Sequence, residues 1–147
     1  MQASKTIKVA IFASGSGTNA QRIVDYFKEK EGVEIALLLS NNPDAYALTR
    51  AKAASIPTRV FTKAEFKDST IIVDELKAAG ISWVILAGFL WLVPKSLIQA
   101  FPNSILNIHR HNGIVWGHLA KRYALERKLS PSGPVTDVWI SSMIRSL

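Results

Sequence analysis

The sequence predicts an α/β domain built on a mostly parallel sheet flanked by helices. Three observations carry this expectation. Short apolar, β-branched runs alternate with amphipathic or alanine-rich runs between residues 7 and 109. Turn-forming clusters rich in Ser, Asn, Pro and Gly separate them, and such alternation marks βαβ units. The chain has 147 residues, 48% of them hydrophobic and 20% charged. That balance suits one folded domain with a substantial core and argues against a disordered chain.

The elements follow in order. Ile7 to Ala13 is apolar apart from Lys8 and reads as a buried first strand. Ser14 to Asn19 is a loop, and Ala20 to Glu31 a helix. Ile23, Tyr26 and Phe27 should face inward on that helix, with Lys28, Glu29, Lys30 and Glu31 in water. Val33 to Leu39 is a second strand, stopped by the turn cluster Ser40-Asn-Asn-Pro-Asp44. Ala45 to Ser55 is alanine-rich and helical. Thr58 to Thr62 makes a short third strand, and Asp68 to Ala79 a helix closed by Gly80. Ser82 to Ala87 is a central strand. Pro94 then opens a short helix through Ala100. Ser104 to Ile108 is the last strand, ending at His109.

Beyond His109 the periodicity fails. Tyr123 to Leu129 could wind two helical turns and Val138 to Ile140 a scrap of strand, around the loop Ser130-Pro-Ser-Gly-Pro134. The expected division is therefore an α/β domain over 1–109 and an atypical basic tail over 110–147. Charge divides the same way: the net +7 splits into +3 for residues 1–109 and +4 for residues 110–147.

Composition excludes several classes of function. The chain has no cysteine, so disulfides, thiolate metal sites and cysteine nucleophiles are ruled out. No apolar run approaches the roughly 20 residues of a membrane span. The longest, Trp83 to Val93, suits a buried strand. Lys5 and Lys8 precede only a strand-length apolar stretch, so no signal peptide is expected and the default location is cytoplasmic. A pI of 9.9 raises the question of nucleic acid. No basic and aromatic platform or recognised motif supports that partner. The oligomeric state stays open at this level.

Two clusters carry chemistry, and both fall at carboxyl ends of strands, where ligands of parallel sheets sit. The first is Gly15-Ser-Gly-Thr-Asn-Ala20, which formally matches G-x-G-x-x-A. A dinucleotide would also want an acidic residue after the second strand, where Ser40, Asn41 and Asn42 stand instead. No Gly-Lys-Thr or Gly-Lys-Ser follows, so it is not a Walker loop. What remains is an anion site. Two glycines let backbone approach closely, a helix N-terminus follows, and Ser14, Ser16, Thr18 and Asn19 add donors. A phosphate monoester is the natural guest. The bland alternative is a tight turn whose Thr18 or Asn19 merely caps the helix.

The second cluster is Asn107 with His109, two apart and so on one face of a strand. A carboxamide beside an imidazole can hold an oxyanion and move a proton, as acyl transfer requires. Its bland alternative is a satisfied polar pair at a strand end. A metal site from His109, His111 and His118 is weaker, lacking a nearby carboxylate and any recognised spacing.

Four segments together resemble one family: Ala13-Ser-Gly-Ser-Gly-Thr-Asn19, Ser40-Asn-Asn-Pro-Asp-Ala45, Leu86-Ala-Gly-Phe89 and Leu106-Asn-Ile-His109. In order and spacing they are similar to the phosphoribosylglycinamide formyltransferases, over about residues 7 to 109. The resemblance implies a Rossmann-like domain that moves a formyl group from 10-formyltetrahydrofolate, a co-substrate, to the amine of glycinamide ribonucleotide, with no metal. It implies that Gly15, Gly17, Thr18 and Asn19 hold the substrate phosphate. Leu90, Trp91, Leu92 and Val93 would line the folate pocket, although the family often has an arginine there. Asn107 and His109 would be catalytic. A phosphate-binding module without catalysis, and a related formyl folate hydrolase or formyltransferase, are the alternatives.

The resemblance stops after His109. The family continues with proline and a Leu-Leu-Pro segment, and later needs an aspartate in an Asp-x-Gly context; here Arg110-His-Asn-Gly-Ile114 follows, and Asp137 precedes Val138 and Trp139. The expectation is a frameshifted, shortened C-terminal part. It carries two corollaries: apolar surface exposed around Ile105 and Ile108, and very low transformylase turnover.

Overall fold

The computed structural model describes residues 6–28, 30–67, 70–102, 104–109 and 113–115, with backbone alone for 107–109 and 113–115. The predicted alternation resolves into β1 (Ile7–Phe12), α1 (Thr18–Phe27), β2 (Val33–Ser40), α2 (Tyr46–Ala53), β3 (Thr58–Val60), α3 (Lys63–Lys67), α4 (Ile71–Ala78), β4 (Ile81–Ala87), α5 (Lys95–Ala100), β5 (Ile105–His109) and β6 (Gly113–Val115). The strands form one sheet in the order β3-β2-β1-β4-β5-β6. β1 to β5 pair in parallel, and β6 pairs antiparallel with β5. The chain winds outward from β1 through β2 to β3. It then returns to lay β4 on the other side of β1, and continues outward to β5. The winding therefore reverses between β1 and β4, and the crevice above such a reversal is where these sheets bind ligands.

Each face of the sheet has its own core. Val9, Ile11 and Ala13 point to one side with Ala20, Ile23, Val24 and Phe27 of α1 and Ala47, Leu48 and Ala51 of α2. Ala10 and Phe12 point to the other with Ile72 and Leu76 of α4 and Leu97 of α5. This strict alternation follows from the period of two along a strand. In β2 the phase slips: Val9 pairs with Ile35 but Ala10 pairs with Leu37, so Ala36 is an extra residue. Ile35 and Leu38 then face the α1 side while Ala36, Leu37 and Leu39 pack on the opposite core. A run of unbroken apolar residues conceals such a slip.

The structure departs from expectation at four places. α1 starts at Thr18, with Gly17 as its N-cap, and ends at Phe27 with Lys28 as its C-cap; Gly32, at φ 88°, then turns the chain into β2. The third strand stops at Val60, since Thr62 begins α3 instead. The Thr62 hydroxyl accepts the Glu65 N–H at 3.2 Å, and the Glu65 carboxylate accepts the Thr62 N–H at 2.9 Å. That reciprocal pair is a capping box. β6 extends the sheet past residue 109, into the segment read as a tail. Finally, Ile105 is partly buried against the second core rather than exposed. The expected features at Tyr123–Leu129 and Val138–Ile140 lie outside the described residues, as do Asp68 and Asp137.

Candidate active site

The carboxyl ends of β1, β2 and β4 open into three loops: Ala13 to Gly17, Asn41 to Ala45 and Gly88 to Val93. One hydroxyl joins them. Ser14 is 5% exposed; its Oγ donates to Asn41 Oδ1 at 2.6 Å and accepts the Leu90 N–H at 3.0 Å. The Ser14 N–H also donates to the Gly88 carbonyl at 3.3 Å. The Ser14 hydroxyl is thus fully engaged in structure and is not the ligand donor that composition suggested. The neighbouring turn satisfies itself. Ser40, fully buried, accepts the Asn42 N–H at 3.1 Å, and Asn42 Oδ1 accepts the Asp44 N–H at 3.0 Å.

Within the first loop the two glycines differ. Gly17 has φ 75°, and a Cβ there would lie 2.7 Å from the Cα and Cβ of Ala47, so only glycine fits. A Cβ on Gly15 would meet nothing within 4 Å. Gly15 is exposed and leaves an open approach to the loop. Gly17 is also the N-cap of α1, and no side chain caps the helix. Thr18 and Asn19 therefore do not close the helix start, as the bland reading required. The first-turn N–H groups of such a helix start have no partner within the helix, and its end carries the positive pole of the helix dipole. Thr18 is exposed and Asn19 half-buried at that opening.

The loop after β4 divides by residue. Leu90 and Leu92 are 77% and 94% exposed. Trp91 and Val93 are half-buried against the core. Trp91 lies 5.9 Å from Phe61, 6.0 Å from Phe66 and 6.4 Å from Phe89, centroid to centroid. The indole thus anchors the loop, and the exposed leucines that flank it in sequence give the loop an apolar ledge.

Asn107 and His109 belong to β5, on the far side of β4 from the glycine loop. Asn107 is in register with Leu86 of β4 and Val115 of β6, and His109 with Gly113. Two strand spacings, about 10 Å, separate β1 from β5. The fold thus brings the expected anion loop, the apolar ledge and the Asn107–His109 backbone to one end of the sheet. A groove of about 450 Å³ opens at the opposite end, between α1, β2 and α2, remote from all three. Sequence reading missed the junction of Ser14, Asn41 and Leu90, for which no local signal exists. Among the described residues, no three His, Cys, Asp or Glu side chains cluster as metal ligands, and no helix is long and apolar enough to cross a membrane.

Residues 7–111 match the model of a family described as formyl transferase. A phosphoribosylglycinamide formyltransferase of Haemophilus influenzae is 37% identical over 107 residues, covering 69% of this chain and 50% of that protein. A chloroplastic phosphoribosylglycinamide formyltransferase of Arabidopsis thaliana is 38% identical over 108 residues, 69% of this chain and 37% of that protein. The solved glycinamide ribonucleotide transformylase 1 of Geobacillus kaustophilus superposes with a TM-score of 0.67 at 33% identity, over 85% of this chain and 70% of that one. The chain spans half or less of the length of these two curated relatives.

Proposed function

The chain belongs to the formyl transferase family, and on that premise we propose that it transfers a formyl group from 10-formyltetrahydrofolate to the amine of glycinamide ribonucleotide. The observation that carries this reading is the open start of α1. Gly17 caps the helix through its backbone, no side chain fills the position, and the loop is held at the sheet's reversal. A dianionic phosphate is the ligand that such an end accepts best. We assign it to Gly15, Gly17, Thr18 and Asn19.

The other assignments follow from position. The apolar ledge of Leu90 and Leu92 suits the flat face of a pterin, with Trp91 and Val93 supporting it from the core. Asn107 and His109 stand two strands from the phosphate loop, a span that a ribose phosphate with a short amide arm bridges. Formyl folate supplies the formyl carbon, whose bond to the folate nitrogen breaks as the bond to the substrate amine forms. Asn107 donates a hydrogen bond to the tetrahedral oxyanion, and protonated His109 does the same. His109 then passes a proton to the departing nitrogen, balanced by the proton that the attacking amine releases. On this reading residues 1–109 form the catalytic unit, extended by β6, in the cytoplasm.

The test uses the whole chain. Calorimetric titration compares glycinamide ribonucleotide with the riboside that lacks its phosphate, and a turnover assay adds formyl folate. Tighter binding of the ribonucleotide is expected. Turnover is expected to be slow, and His109→Ala to reduce it by about 10²- to 10⁴-fold. Binding without any turnover would favour the non-catalytic module. Release of formate without ribonucleotide would point to the hydrolase. Equal affinity for both ligands would sink the phosphate assignment.

A further inference from the structure

Two successive carbonyls of the anion loop are held by one helix. The Gly15 carbonyl accepts the Ala47 N–H of α2 at 3.1 Å. The Ser16 carbonyl accepts Nε of Arg50, also of α2, at 2.7 Å. In a trans peptide the C=O and N–H point in opposite directions. Holding these two oxygens toward α2 therefore turns the N–H groups of Ser16 and Gly17 away from it. Those are the amides an anion would meet ahead of the first turn of α1.

Arg50 is itself constrained. Its guanidinium carbon lies 4.9 Å from the centre of the Tyr46 ring, one helical turn back on α2. Its stem runs beside Gly17, where an added Cβ would come within 3.3 Å of Arg50 Cδ. The guanidinium is thus fixed between a ring and a loop carbonyl, and its permanent charge sits beside the anion loop.

From this geometry we propose that Arg50 is a positioning residue for the substrate phosphate. It locks the Ser16–Gly17 peptide so that its N–H faces the ligand, and Tyr46 holds it in place. This rests on the phosphate assignment above, and it concerns a residue that need not touch substrate. An Arg at this point of an alanine-rich helix would otherwise be an ordinary solvated charge.

The experiment titrates the wild-type chain, Arg50→Ala and Arg50→Lys with glycinamide ribonucleotide and with the riboside, after circular dichroism confirms folding. Arg50→Ala is expected to weaken ribonucleotide binding about tenfold, the worth of one charged hydrogen bond, and to leave riboside binding unchanged. Arg50→Lys keeps the charge but lacks the Nε donor and the planar stack, so it is expected to recover less than half of that loss. The Gly17 amide resonance should shift in both variants before any ligand is added. Full recovery by Arg50→Lys would reduce the role to charge alone and overturn positioning. Equal loss for both ligands, or no loss in a folded variant, would overturn the proposal while leaving the phosphate site standing. A wild-type chain that does not prefer the ribonucleotide would remove the phosphate site itself, and the role of Arg50 with it.

Discussion

Ser14 illustrates how much of this site depends on a single polar atom. Its hydroxyl is buried where three loops meet, so both partners lose a hydrogen bond if the hydroxyl goes. Ser14→Ala removes one atom and no shape. It leaves the Leu90 N–H and Asn41 Oδ1 to find other partners. We expect a loss of about 1–2 kcal/mol, read as a lower urea midpoint at an unchanged slope. A wild-type midpoint in the variant would show that water replaces the hydroxyl at no cost. This junction was illegible in the sequence because its members lie 27 and 76 positions apart. Gly17 was legible as a loop glycine. Its strict need for the absent Cβ came from Ala47, which no local pattern announces.

At the scale of elements, α3 and its ion pairs show what a short segment needs in order to form. Five residues make a poor helix unaided. Here the capping box closes its start. Arg59 of β3 ties it down, with Nη2 on Glu65 at 2.7 Å and Nε on Glu75 of α4 at 2.8 Å. The Arg59 guanidinium, helped by the Thr62 N–H, holds the Glu65 carboxyl well below the usual range, at about 2. A carboxyl lowered in the folded state stabilises it fully above its unfolded pKa, and that contribution disappears as pH falls through the folded value. Stability should therefore decline from about pH 4.5 toward about pH 2, and Glu65→Gln should flatten that decline. Both are read from urea midpoints against pH. Identical slopes in wild type and variant would remove Glu65 from the account. The Thr62-x-x-Glu65 spacing was visible in the sequence, but it sat inside a stretch read as strand and loop. Longer elements were legible because their apolar period repeats several times; α3 and β6 are too short to show one. The slip at Ala36 was hidden for a related reason, since a strand apolar on both faces has no visible phase.

The whole molecule is organised around two strands. β1 and β4 are paired on both edges and covered on both faces, whereas among the described strands β3 lies at one edge and β6 at the other. Amide hydrogen exchange should therefore be slowest in Val9–Phe12 and Val84–Leu86, and fastest among the strands in β3 and β6. Uniform protection across the sheet would contradict this division. The order of that sheet was legible only as a class. Alternation implied parallel pairing, but nothing local states that the fourth strand returns to the side of the first.

That return has a consequence for assembly. β1 pairs with β2 early in the chain, but its second neighbour begins only 69 positions after Phe12, at Ile81. Pairing across so long a stretch of chain is slow and comes late. The crevice above β1 and β4 does not exist until that closure is complete, so the candidate site forms later than the local elements that border it. A ligand that binds there would select chains in which β1 and β4 have paired, and would act on that pairing as a latch.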